Sequence, residues 1–209
     1  MKDIKSFVPV SSIEFDKIYR VMDKRVSLGY SDRELSFLLG YRPLYVRDVE
    51  NPLHTLRYTA KDTNYLLEIF ECSLQEIMAP KIRDTFYPIK IETQQYAGGI
   101  TYKIWKDNAP DKAQLLKEFT AEIETSRVMK NTIKFVEVND YLSTLFNNGY
   151  FNDARTALEI FKHCKAEMSK TITPFMLSAG LGSFTARKKT PKIIEYKNDS
   201  ARTVYRREG

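Results

Sequence analysis

The apolar residues between positions 11 and 80 recur at helical spacing. Phe15, Ile18, Tyr19, Met22 and Val26 fall three and four residues apart, drawing one stripe down a first helix that ends near Lys24 and Arg25. Leu35, Leu38 and Leu39 repeat the spacing. Ser31 is placed to cap that second helix, and Glu34 three residues on completes a capping box. Gly40 supplies the positive backbone angle that a sharp turn requires. Val46 and Val49 then give a third helix its inner face, leaving Arg42, Leu44, Arg47 and Asp48 nearer the outside. Tyr65, Leu66, Ile69 and Phe70, followed by Leu74, Ile77 and Met78, predict a fourth and a fifth helix.

The period shortens to two after about residue 81. Ile89, Ile91 and Thr93 alternate with polar neighbours, as do Ile100, Tyr102 and Ile104, and Tyr96 to Gly99 supply the turn of an antiparallel hairpin. Asp107 to Asp111 break the pattern. Leu115, Leu116, Phe119 and Ile123 predict a helix after it; residues 125 to 137 are ambiguous, and Thr132 to Val136 can form a short strand. From Val138 helical spacing returns. Asn139 caps a helix carrying Tyr141, Leu142, Leu145 and Phe146, and Asn152 caps one carrying Ala154, Ala157, Leu158, Phe161 and Met168. Thr173-Pro174 opens a third with Leu177, Leu181 and Phe184. Ile193, Ile194 and Tyr196, then Val204 and Tyr205, predict two strands turned at Asn198 to Ser200. The reading is mainly α with small β-hairpins: a five-helix domain over residues 1–80, a hairpin and helix over 81–137, and three helices with a terminal hairpin over 138–209.

Residues 29–51, GYSDRELSFLLGYRPLYVRDVEN, resemble the phage-repressor (Cro/repressor-like) helix-turn-helix family at Gly29, Ser31, Glu34, Leu35, Leu39, Gly40, Tyr45, Val46, Val49, Glu50 and Asn51. With its flanking helices the resemblance covers roughly residues 11 to 80. It implies a helix presented to the DNA major groove, with Arg33, Arg42, Tyr45, Arg47 and Asn51 as contacts, and dimers on two-fold sites. Arginine forks suit guanine edges or phosphate oxygens. Residues 138–209 resemble a winged-helix domain in organisation only. Its basic hairpin would lay Lys197, Arg202, Arg206 and Arg207 along DNA, with Arg187, Lys188 and Lys189 at the end of the preceding helix as further contacts.

Charge sharpens this division. Of the net +6, residues 1–80 hold 11 Lys/Arg against 12 Asp/Glu, and the remainder 22 against 15. Residues 185–209 alone carry eight basic and three acidic side chains. With 43% hydrophobic residues the chain can bury a core. No apolar run approaches a membrane span of roughly 20 residues, and the N-terminus lacks a secretion signal, so a cytoplasmic protein without a membrane partner is expected. Cys72 and Cys164 read as buried thiols in a reducing compartment. His54 and His163 have no ligand pattern around them, and no phosphate-binding loop, zinc motif or nucleophile elbow is present, so neither metal, cofactor nor catalysis is expected.

The expected function is a DNA-binding protein, a transcriptional regulator acting on double-stranded DNA, with a homodimer implied by the resemblance and any small-molecule effector open. The alternative is a protein-interaction module, an antitoxin, immunity factor or assembly adaptor. Asp32, whose carboxylate repels phosphate, Leu44, which offers bases no hydrogen bond, and the acidic balance of residues 1–80 favour it.

Overall fold

The computed structural model describes residues 7–52, 54–107, 113–122, 132–168 and 172–209. The chain divides into two compact units, one of residues 1–32 and 44–123, the other of residues 33–43 and 124–209. The architecture is α+β.

In the first unit, strand β1 (Val8–Ser11) leads into helix α1 (Ser12–Ser27). Helices α3 (Tyr45–Glu50), α4 (Ala60–Phe70) and α5 (Leu74–Ile77) follow, then strands β2 (Phe86–Tyr96), β3 (Gly99–Asp107) and β4 (Ala113–Glu122). The strands form one antiparallel sheet in the order β1-β2-β3-β4. The alternation in β2 and β3 is what the pairing needs: Ile91 faces Ile104 and Thr93 faces Tyr102, so one sheet face is apolar. Phe15 and Met22 of α1 pack there with Val10, Ile89 and Ile104. Helix α4 opens on a capping box in which Thr59 and Asp62 satisfy each other's backbone N–H.

Beneath α3 lies a buried ion pair. The Arg25 Nε and Nη2 groups donate to the two Glu50 carboxylate oxygens at 2.8 and 2.7 Å, and Nη1 donates to the Tyr30 carbonyl. Burial pushes the Glu50 carboxyl up, and the guanidinium opposes that push.

The second unit holds helix α2 (Asp32–Leu38) from Arg33 onward, helix α6 (Thr132–Asn147), a 3-10 turn at Tyr150–Asn152 and strand β5 (Arg155–Thr156). Helices α7 (Ala157–Glu167) and α8 (Pro174–Thr185) and strands β6 (Lys192–Lys197) and β7 (Thr203–Glu208) complete it. Its sheet has the order β5-β7-β6. Leu142, Phe146, Leu158, Phe161, Leu177, Leu181, Phe184, Ile193 and Val204 are buried in it.

These observations correct several expectations. The five-helix domain is not formed: helices of that stretch share a unit with a four-stranded sheet, and α2 belongs to the other unit from Arg33 on. The two helices of the expected helix-turn-helix therefore fall in different units. The helix expected at Leu115 to Phe119 is strand β4, because pairing along β3 satisfies its backbone. The rest of that expectation, at Ile123, and the break expected at Asn108 to Asp111 lie outside the described residues. Thr132 to Val136 is the start of α6, so Asn139 is interior rather than a cap. Thr156, not Asn152, caps α7, accepting the Glu159 N–H. The winged-helix organisation is also overturned. A strand precedes α7, residues 33–43 join the unit, and the terminal hairpin is docked rather than projecting freely, as its bonds to Leu39 and Gly40 show.

Candidate nucleic-acid interface

The second unit carries the chain's positive excess. It contains 17 Lys/Arg and 10 Asp/Glu, a net +7, whereas the first contains the other 16 and 17, a net −1. That balance directs attention to the surface around α8.

Helix α8 starts where Thr173-Pro174 dictates. The Thr173 hydroxyl accepts the Met176 N–H at 3.2 Å, and Pro174 occupies a first-turn position where no N–H is needed. Glu34, brought from α2 and 2% exposed, accepts the Phe175 N–H at 3.2 Å. A carboxylate at a helix N-terminus is favoured by the dipole as well as by the hydrogen bond. Met176, Leu177, Gly180, Leu181 and Phe184 turn inward, leaving Ser178, Gly182 and Ser183 exposed.

At the N-terminal end of α8, a groove of about 450 Å³ is lined by Arg33, Arg42 and Lys197, together with Phe37, Phe175 and Ser178. The cations come from α2, from the turn after it and from β6. Glu34 and Glu195 also line the groove, so its formal balance is +1. Backbone hydrogen bonding explains the convergence. Gly40, at φ +73°, exposes carbonyls that the hairpin satisfies: the Gly40 oxygen accepts from Thr203 N–H at 2.8 Å and Lys197 Nζ at 3.1 Å. The Arg202 guanidinium donates to the Leu39 carbonyl and lies 5.0 Å from the Tyr41 ring.

A second cluster of cations lies at the C-terminal end of α8. The Arg187 guanidinium is 4.1 Å from the Phe184 ring centre and 5.1 Å from that of Phe146, and the Arg207 guanidinium reaches Phe146 at 4.9 Å. Rings hold the two guanidiniums by cation–π attraction. Lys188 and Lys189 follow as exposed residues.

Of the expected contacts, the structure thus brings Arg33, Arg42 and Lys197 to one end of α8 and Arg187, Lys188 and Lys189 to the other. Arg206 is exposed but donates to the Asn152 carbonyl at 3.2 Å, and Arg207 also donates to that of Phe146 at 3.3 Å.

Two expected contacts are buried and leave the candidate set. Tyr45 donates its hydroxyl to Asp62 at 3.0 Å, and Arg202 is 1% exposed. In the first unit, Arg47 is bound through Nε to Asp32 at 2.9 Å, and Asn51 closes α3, its N–H reaching back to Arg47 and Asp48. The sequence singles out Glu34 as a capping partner of Ser31, not as a site residue, and Phe37 and Phe175 not at all. The pairing of Glu34 with the Phe175 N–H leaves no signal in the sequence, since the two lie 141 positions apart.

Compared with known proteins, the chain matches no family model, no curated protein and no solved structure.

Proposed function

We propose that the chain binds double-stranded DNA through the surface around α8, chiefly by contacts to the phosphate backbone. The observation that carries this reading is the meeting of Arg33 and Arg42, from the stretch 33–43, with Lys197, more than 150 residues on, in one groove at one end of a helix whose other end bears Arg187, Lys188 and Lys189. A 12-residue helix is about 18 Å long at 1.5 Å per residue, and a major groove is about 12 Å wide, so cations at both ends span phosphates on opposite strands. The exposed face between them carries Ser178, Gly182 and Ser183, which admit a close approach and read few base edges. Affinity on this reading comes from counterion release and depends steeply on salt.

The test is fluorescence anisotropy of labelled duplexes across a salt series. A variant with Arg33→Gln, Arg42→Gln, Lys188→Gln and Lys189→Gln should weaken binding on every sequence and flatten the salt slope by about 0.9 for each phosphate no longer neutralised. Absence of binding by the native chain at low salt, or an unchanged slope in the variant, rejects the reading. Failure at low salt would favour the protein-interaction alternative, with which the Arg47–Asp32 pair agrees, since that arginine already has a carboxylate.

A further inference from the structure

The sheet face on which α1 packs continues past it at Thr93, Gln95 and Ile100, while Ile91 and Tyr102 are partly buried against the α1 cluster. Ile91, Thr93 and Gln95 lie two apart on β2, so their side chains share a face, and Ile100 and Tyr102 meet them from β3 in the pairs Gln95–Ile100 and Thr93–Tyr102. This extension, with Met22 of α1 and the end of α3, bounds a cleft of about 370 Å³ that the proposed DNA contacts do not use. Its volume lies in the usual range for small-molecule sites, about 300–1,000 Å³.

The lining is divided by chemistry. Met22, Pro52, Ile91 and Ile100 are apolar, while Asp32, Arg47, Asn51, Thr93, Gln95 and Tyr102 are polar. Among the described residues, the charged groups lining the cleft are Asp32, Arg47 and Glu50, and the acids already accept hydrogen bonds. Glu50 is held on both oxygens by Arg25, and Asp32 accepts from Arg47 Nε at 2.9 Å. With Arg25 behind Glu50, the four charges cancel. The Arg47 bond to Asp32 runs through Nε, the side chain is 56% exposed, and the guanidinium carries two terminal NH2 groups besides that nitrogen. Those groups, with the Thr93 and Tyr102 hydroxyls and the Gln95 amide, make the polar part rich in hydrogen-bond donors. A planar carboxylate fits paired guanidinium N–H groups. The Met22, Ile91 and Ile100 side chains require an apolar body behind it.

We infer that this cleft binds a small organic monocarboxylate with an apolar body, its carboxylate on Arg47 and its body over Ile91 and Ile100. The experiment titrates the full chain with phenylacetate, and with phenylacetamide as its isosteric neutral partner, following backbone amide chemical shifts by NMR. Phenylacetate should produce saturable shifts at Asn51, Thr93 and Ile100, with affinity at least about tenfold above phenylacetamide. Arg47→Met, which keeps the stem and removes the guanidinium, should bring the two probes together. Thr93→Trp, at an exposed strand position, should fill the cleft and abolish both. Equal affinity of the two probes for the native chain overturns the inference, as do shifts centred elsewhere, no saturable shifts, or phenylacetate binding that survives Thr93→Trp. DNA binding is not a premise of the inference, so its outcome is independent of the salt-series result.

Discussion

At the residue scale, two glycines of α8 show how local space decides the sign of a substitution. A Cβ at Gly182 meets nothing within 4 Å, whereas one at Gly180 comes 2.6 Å from Leu142 Cδ1 and 3.0 Å from Asn139 Oδ1. Alanine carries the better helix propensity at both positions, by about 1 kcal/mol. Gly182→Ala should therefore raise stability by about 0.5–1 kcal/mol in urea unfolding. Gly180→Ala should lower it, by about 1–3 kcal/mol if the Leu142 side chain is forced from its packing. The reverse order of the two midpoints would show that α8 does not pack on α6 as described. Both glycines look alike in the sequence, as interruptions of a helical pattern. Only the Val138–Leu142 turn of α6 tells them apart.

At the scale of elements, α5 is a four-residue helix too short to stand alone, and it is fastened to α1 by charge. The Lys24 ammonium donates to Glu76 at 2.7 Å and, with the Ser73 N–H, holds that carboxyl down at about 2, from an ordinary 4.5. A carboxyl depressed in the folded state stabilises it at pH values above the ordinary pKa and loses that contribution as pH falls through the folded value. The native chain should therefore be more stable than Glu76→Gln above about pH 4.5, with the difference shrinking on acidification and gone near pH 2. Denaturant midpoints of both proteins across this range check it, and a difference that persists at pH 2 would contradict the assignment. The capping box Ser73–Glu76 is visible in the sequence as Ser-x-x-Glu, but its coupling to Lys24, 52 residues away, is not.

At the scale of the molecule, charge and small side chains coincide on one unit. If duplex DNA approaches the outer face of α8, bulk placed there should block it while leaving the fold intact. Gly182→Trp points into open space, so its unfolding midpoint should stay close to the native one. Its duplex affinity, measured by the same anisotropy titration, should fall by at least about tenfold. Native-level affinity in Gly182→Trp would mean that the Arg187–Lys189 end binds without α8. The division of the chain also explains why residues 29–51 suggested a contiguous motif. Residues 32–38 and 45–50 are helical, with Leu35, Leu38, Leu39, Val46 and Val49 all buried, but burial says nothing about the partner doing the burying.

Spacing along the chain was enough to place α1, the helices on either side of Gly40, the β2–β3 hairpin, the Thr173-Pro174 helix start and the terminal β6–β7 hairpin. These follow from interactions within a few residues: apolar periodicity, side-chain caps and turn chemistry. The same spacing misassigns β4 and leaves the start of α6 ambiguous, since short apolar runs fit either period and the neighbouring strand or helix chooses. The candidate interface depended on distant pairings that leave no periodic trace. The Gly40 carbonyl is satisfied by the Thr203 N–H and adds Lys197 as a second donor, and the Phe175 N–H, in the first turn of a helix where no intrahelical acceptor exists, is met by Glu34.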